Sequence, residues 1–349
     1  MLTLRENTKP VYAKGVKIGG GGVVVQSMCN TKTADVGATL EQIKGLVGEG
    51  CEIVRLAVPD MEAAKAFDKI CSSVDIPVVA DIHFDYKLAL ECVKNGAAKI
   101  RINPGNIGGM DRVEAVAKAC RENKIPIRIG VNMGSIDKEM EKLYGRTPKA
   151  MVESAFMHIG LLNKFDFDDI VLSLKASDVL KTVEAYRLMS ASCNYPLHIG
   201  VTEAGTAYSG LIKSSVGIGA LLMDGIGDTI RVSLTAPPVE EITAAKYILK
   251  SVGLKSGGIE FVSCPSCGRC KINQVEVANT VEKALNKIDK PIKVAVMGCA
   301  VNGPGEAKDA DIGVAGGDGF ALLFKKGEII KKIPEDKILE TLLKEIEEM

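Results

Sequence analysis

Two groups of residues in this sequence have the types and spacing to do chemistry. The first is S-C-P-S-C-G-R-C, with Cys264, Cys267 and Cys270, followed by G-C-A-V-N-G-P-G-E, with Cys299 and Glu306. A Cys-x-x-Cys pair lets two thiolates converge on one metal from a single tight turn, and a distant third cysteine closes the site. Soft thiolates select zinc or an iron–sulfur cluster. Spacing leaves both open. Cys264, Cys267, Cys270 and Cys299 could form a structural zinc site. The first three also imitate the tandem run of bacterial ferredoxins, without its fourth cysteine and proline. Glu306 has the plain reading of a solvated loop acid. Against that, Gly303-Pro304-Gly305 makes a turn that aims the next side chain back toward Cys299. A carboxylate is a harder, weaker ligand than a thiolate, so it can be displaced.

The second group falls at the ends of apolar runs. These ends carry Ser27 and Asn30, Arg55, Asp81 and His83, Arg101 and Asn103, Arg128 and Asn132, Ser173 and Lys175, His198 and Glu203, and Arg231 and Ser233. Singly, each has a bland reading: a surface arginine, a hydrogen-bonded histidine, an asparagine capping a loop, a glutamate in an ion pair. Together they place four arginines and a lysine where one mouth would gather them. In a chain of zero net charge, that is local charge set for an anion such as phosphate.

The runs that must position these residues alternate with helical patterns. Strand candidates are 23–27, 53–57, 78–82, 99–102, 127–131, 170–173, 197–201 and 229–232, with helical segments between them. Eight such alternations predict a (β/α)8 TIM barrel, whose strand C-terminal ends converge on one active-site mouth. A doubly wound open sheet uses the same alternation and is the structural alternative. Around Gly19-Gly20-Gly21-Gly22 we expect a hairpin, since the run lacks the Gly-Lys-Ser/Thr ending of a phosphate loop. Pro237-Pro238 opens a further helix, and G-L-K-S-G-G reads as a linker. The expected division is a barrel over 1–253 and a small α+β domain over 259–349. The latter holds the cysteines, a helix over 275–287, a strand over 292–297, two strands around 312–314 and 321–325, and a terminal helix over 337–348.

Composition narrows the function classes. Aromatic content of 4% without tryptophan argues against a base-stacking surface, and equal acidic and basic counts of 44 argue against a DNA binder. Hydrophobic content of 46% fills a large core without any run of membrane-spanning length. The N-terminus has no apolar leader, so we expect a cytoplasmic protein with no nucleic-acid or membrane partner. Ten cysteines in that compartment mean metal or catalysis rather than disulfides.

The S-C-P-S-C-G-R stretch, M-G-C-A-V-N-G-P-G-E-A and D-I-G-V-A-G-G resemble the 4-hydroxy-3-methylbut-2-enyl diphosphate synthase family, reductive enzymes of the methylerythritol phosphate route to isoprenoids. V-Q-S-M, R-I-N-P-G-N, R-I-G-V-N-M-G-S and V-T-E-A-G extend the resemblance over nearly the whole chain. It implies a 4Fe-4S cluster on Cys264, Cys267, Cys299 and Glu306, with Cys270 an ordinary thiol nearby. Cys29 departs from the family's usual threonine. The implied substrate is 2-C-methyl-D-erythritol 2,4-cyclodiphosphate, reduced by two electrons from a ferredoxin or flavodoxin. Glu203 would be the acid/base group. Arg55, His83, Arg101, Asn103, Arg128, Asn132, Lys175, Arg231 and Ser233 would hold the substrate.

Geometry adds a homodimer with its active site between chains. The helix over 239–251 is about 20 Å long and returns to the barrel's far end. Residues 253–264 then span at most about 37 Å, a short tether for a folded domain that must reach its own barrel mouth.

Overall fold

The computed structural model describes residues 1–103, 105–255, 258–286 and 288–349. Pro104 of the P-G-N turn, Ser256 and Gly257 of the expected linker, and Lys287 at the end of one expected helix lie outside them. The chain divides into two compact units, Met1–Leu254 and Lys255–Met349.

The first unit opens with a hairpin of β1 (Val11–Ala13) and β2 (Val16–Ile18). The glycine run was expected to form its turn. Instead the turn is Lys14-Gly15, with φ of 44° and 86°, between the paired Ala13 and Val16. A two-residue turn with both positions left-handed matches the twist of the flanking strands. The glycine run instead threads a tight passage: a Cβ on Gly19 would lie 2.9 Å from the Lys9 carbonyl.

The alternation then follows as β3 (Val24–Met28), α1 (Val36–Gly48), β4 (Ile53–Ala57), α2 (Met61–Ser73), β5 (Val78–Asp81), α3 (Tyr86–Lys94), β6 (Lys99–Ile102), α4 (Met110–Glu122) and β7 (Ile127–Asn132). It continues with α5 (Lys138–Tyr144), α6 (Pro148–Asn163), β8 (Ile170–Lys175), α7 (Val179–Ser192), β9 (His198–Ile199), α8 (Ala207–Met223), β10 (Thr229–Ile230) and α9 (Pro238–Ser251). Aspartates start several helices. Asp35, Asp60, Asp85, Asp137 and Asp178 each accept a backbone N–H of the first turn of α1, α2, α3, α5 and α7. Such caps satisfy donors that a helix start leaves open.

The eight strands from β3 to β10 pair in parallel, in the order β8-β7-β6-β5-β4-β3-β10-β9. A parallel bridge between Leu172 and Leu197 joins the two ends of that order. The sheet is therefore a barrel rather than the open alternative. Parallel strands with helices outside are buried on both faces, and β5, β6 and β8 are buried at every residue. Outward positions such as Val54, Leu56, Ile100, Ile129 and Leu172 pack in the main core. Inward positions at the strand starts, Val24, Ile53, Val79 and Val171, pack against Val11, Ala13 and Ile18 of the hairpin. The hairpin therefore plugs the N-terminal end. Among the described residues no helix is long and apolar enough to cross a membrane.

The second unit contains β11 (Glu260–Ser263), α10 (Gln274–Leu285), β12 (Lys293–Met297), α11 (Gly303–Glu306), β13 (Ile312–Gly316), β14 (Phe320–Lys325), β15 (Glu328–Pro334) and α12 (Ile338–Glu347). Its sheet runs in sequence order, parallel through β13 and antiparallel after it. Val281, Leu285, Val294, Val296, Val314, Leu342 and Ile346 form its core. β15 was not expected. It is an edge strand in which Ile329 and Ile330 are exposed beside Lys331 and Lys332 and only Ile333 is buried, so its apolar residues do not alternate.

Candidate functional site

Side chains two residues apart on a strand share a face. On β4, β5 and β8 the inward face turns from apolar at the plugged end to polar at the other: Ile53 and Arg55; Val79 and Asp81; Val171, Ser173 and Lys175. On β3 it carries Val24, Gln26 and Met28, and on β6 and β7 it is polar from the first inward residue: Lys99 and Arg101; Arg128, Gly130 and Asn132. A cavity of about 130 Å³ opens at the polar end. Arg55, Asp81, His83, Arg101, Arg128, Gly130, Asn132, Ser173, Lys175, Thr202, Arg231 and Ser233 line it.

Asp81 holds the cationic cluster together. Its carboxylate lies 3.0 Å from Arg101 Nη1 and 3.6 Å from both Arg55 Nε and His83 Nε2. Burial alone would raise Asp81, but Arg55, His83 and Arg101 outweigh it and hold the carboxyl well below its usual range. Glu241, from α9, lies 3.5 Å from Arg231 Nε, accepts from Ser27 Oγ at 3.1 Å, and accepts from Leu234 N at 3.0 Å. Five cations of the lining thus share two carboxylates. The remaining donors are poorly served. Arg55 Nε and Nη2 point at the thioether of Met28, at 3.0 and 2.8 Å, a weak acceptor. Arg128 is buried with its Nε and Nη1 donors unpartnered. Buried polar groups are ordinarily satisfied, so these donors are free to meet an anion. Burial pushes Arg55 down to about 9 and Arg128 well below its ordinary value. A guanidinium still keeps its proton.

Two glycines make room for the cations. A Cβ on Gly130 would lie 2.6 Å from Arg101 Nε, and one on Gly200 would lie 2.8 Å from Lys175 Nζ. Those side chains reach the cavity only across bare backbone.

Of the residues expected to hold substrate, Arg55, His83, Arg101, Arg128, Asn132, Lys175, Arg231 and Ser233 line this cavity. Asn103 is buried just beyond β6, and its Oδ1 accepts the Gly105 N–H at 3.1 Å. It is not among the lining residues. Neither is Glu203, which is exposed one residue beyond the lining Thr202. Glu203 holds a left-handed backbone, φ 53°, which non-glycine residues rarely keep without a local reason. The sequence reading passed over Met28, Thr202 and Glu241, and left Asp81 and Ser173 without a role. Strand-end position was the signal for Asp81, Ser173 and Met28. Glu241 reaches the site from a helix, and no local pattern marks it.

In the second unit the cysteine loop leaves the end of β11 and the Cys299 loop leaves the end of its neighbour β12. The loops are stitched together. Gly298 N donates to Cys264 Sγ at 3.1 Å, Lys271 N donates to the Gly298 carbonyl at 3.0 Å, and Gln274 Nε2 donates to the Val296 carbonyl at 2.8 Å. Cys267 N donates to Cys270 Sγ at 3.3 Å. Backbone hydrogen bonds and Arg269 lower the exposed Cys267 thiol. Glu306 ends the short turn α11 and is exposed. Among the described residues no three His, Cys, Asp or Glu side chains are gathered closely enough to hold a metal ion. Cys264, Cys267, Cys299 and Glu306 thus share two adjacent loops without forming a closed shell. Their donor set still fits a soft metal: thiolates from two loops, sulfurs accepting backbone N–H groups, and one harder carboxylate.

The chain matches the GcpE TIM-barrel domain over residues 8–246 and the GcpE C-terminal domain over residues 260–348. It is 60% identical over 347 residues to a protein of Ruminiclostridium cellulolyticum, covering 99% of this chain and 98% of that one. It is 55% identical over 348 residues to a protein of Geobacter sulfurreducens, covering 99% of each. Both relatives bear the name 4-hydroxy-3-methylbut-2-en-1-yl diphosphate synthase (flavodoxin). Among solved structures, dihydropteroate synthase from Stenotrophomonas maltophilia aligns with a TM-score of 0.53 at 12% identity, covering 71% of this chain and all of that one. At that identity the likeness concerns the barrel fold alone.

Proposed function

This chain belongs to the GcpE family, and from that premise we propose that it opens and dehydroxylates 2-C-methyl-D-erythritol 2,4-cyclodiphosphate to 4-hydroxy-3-methylbut-2-en-1-yl diphosphate. It is an oxidoreductase of isoprenoid precursor synthesis, and flavodoxin, named with its relatives, is the donor we assign. Two electrons and two protons enter, a ring carbon–oxygen bond breaks, and one water leaves.

The observation that carries the substrate is the unbalanced cation cluster, with Arg128 donors left open. Arg55, Arg101, Arg128, Lys175 and Arg231 would bind the diphosphate, with His83, Asn132 and Ser233 as further polar contacts in the same cavity. Asp81 orients Arg55 and Arg101, and Glu241 orients Arg231. Asn103 supports the loop beside them, and Glu203 would move the proton. Cys264, Cys267, Cys299 and Glu306 would hold a 4Fe-4S cluster. That group, when bound, supplies electrons one at a time. We further propose a cytoplasmic homodimer in which the barrel of one chain works with the cysteine loops of its partner.

Anaerobic purification tests the reading. A brown protein with iron and sulfide that converts the cyclodiphosphate with reduced flavodoxin is expected. A colourless zinc protein that binds the cyclodiphosphate without reducing it overturns the redox assignment.

A further inference from the structure

From Lys175 a chain of polar groups runs beneath the mouth to His198 and Thr229, which do not line the cavity. Lys175 Nζ is 3.3 Å from His198 Nε2, and His198 Nδ1 is 2.6 Å from Thr229 Oγ1. All three residues are buried. The His198 carbonyl accepts from the Tyr186 hydroxyl at 2.6 Å, and that hydroxyl accepts from Leu174 N at 3.1 Å, so β9 is braced at this point. Gly200 leaves the passage through which Lys175 runs.

Charge at this point is one-sided. Arg231 just past β10, Arg128 from β7 and Arg55 from β4 act on Lys175, and Glu241 from α9 is the acid that opposes them. Lys99 of β6, a second buried amine that burial and Arg128 hold well below the ordinary lysine range, also acts on His198. Asp81 is already shared by Arg55, Arg101 and His83. Guanidinium groups do not release their protons to relieve such crowding, whereas a buried amine does. Burial first, then the arginines, push Lys175 well below the ordinary lysine range, and burial with the same cations pushes His198 down.

We propose that Lys175 is a proton-uptake residue, an unprotonated amine in the free protein that takes one proton from solvent as the diphosphate binds, while His198 changes tautomer to serve both states. The inference rests on the diphosphate reading given above. In the free state the Thr229 hydroxyl donates to His198 Nδ1, and Nε2–H donates to the lone pair of the Lys175 amine. In the bound state the Lys175 ammonium donates to Nε2, and Nδ1–H donates to Thr229 Oγ1. Thr229 can do both because a hydroxyl is donor and acceptor. One proton enters from water and nothing is oxidised or reduced. The free barrel is spared a fifth cation at its mouth, and the bound anion meets it.

The test is titration calorimetry of the holoenzyme with the cyclodiphosphate at pH 7.5, in buffers of small and large ionisation enthalpy. Wild type should take up about one proton per site, and its affinity should fall as pH rises from 7 to 9. Lys175→Arg, always charged, should bind with no uptake and a flat profile. Uptake that persists in Lys175→Arg, or binding by wild type without buffer dependence, overturns the inference alone. Absence of any binding sinks the substrate reading, and the inference with it. Independently of any variant, the ¹⁵N signals of His198 should exchange their protonated and unprotonated positions on binding. Signals that do not exchange overturn the tautomer change.

Discussion

Arg128 shows at the scale of one residue how a binding site is made by leaving something undone. It is fully walled in, yet two of its donors face no acceptor, which costs stability in the free protein. Replacing it by methionine removes the unsatisfied donors and one charge-assisted contact to the diphosphate. Such a contact contributes roughly 1.5–3 kcal/mol, so Arg128→Met should weaken cyclodiphosphate binding by about 10- to 150-fold. Iron content should not change, because the residue belongs to the barrel unit. Equal affinity in the variant and wild type would remove Arg128 from the site.

The N-terminal hairpin and the strands that it plugs carry a prediction at the scale of the element. Asp228, beside β10, accepts from Thr8 Oγ1 at 2.6 Å and from Leu197 N at 2.7 Å, and so ties the segment before β1 to the barrel. Burial pushes its carboxyl up to about 6, against the Thr8 and Leu197 hydrogen bonds and Arg5. The folded state therefore favours the neutral form more than the unfolded chain does. That contribution is whole below pH ~4 and is lost as pH rises through ~6. Asp228→Asn cannot titrate. Relative to that variant, wild type should lose on the order of 3 kcal/mol between pH 4 and pH 7, read from paired denaturant melts. A difference that stays constant over this range would mean that Asp228 does not titrate there.

For the whole molecule, the proposed division of labour between chains predicts complementation. Glu203→Gln removes the group proposed to move the proton, and Cys264→Ser removes a thiol of the second unit. Mixed after dissociation, the two dead variants pair at random. Half the dimers are then hybrid with one intact site, so activity should recover to about a quarter of wild type. Demonstrated subunit exchange without recovery would show that each chain works with its own cysteine loops.

Much of this was legible in the sequence because its signals are local. The β–α alternation put Arg55, Arg101, Lys175 and Arg231 toward the strand ends that line the cavity, Arg128 reaches it from the second residue of β7, and Cys-x-x-Cys spacing picked out the metal-type loop. What the tertiary structure decided is long-range or set by backbone direction. Which carboxylate serves which group depends on how elements pack: Asp81 of β5 meets Arg101 of β6, and Glu241 of α9 meets both Arg231 and the distant Ser27. Asn103 and Glu203 lie past the ends of their strands, where period-two alternation no longer dictates where a side chain points. The edge strand β15 has three isoleucines but no period-two alternation, and the hairpin turn at Lys14-Gly15 competes with a stronger glycine run nearby. That Arg128 keeps two donors without an acceptor while Asp81 and Glu241 engage its neighbours appears only once barrel closure brings the strand ends to one point.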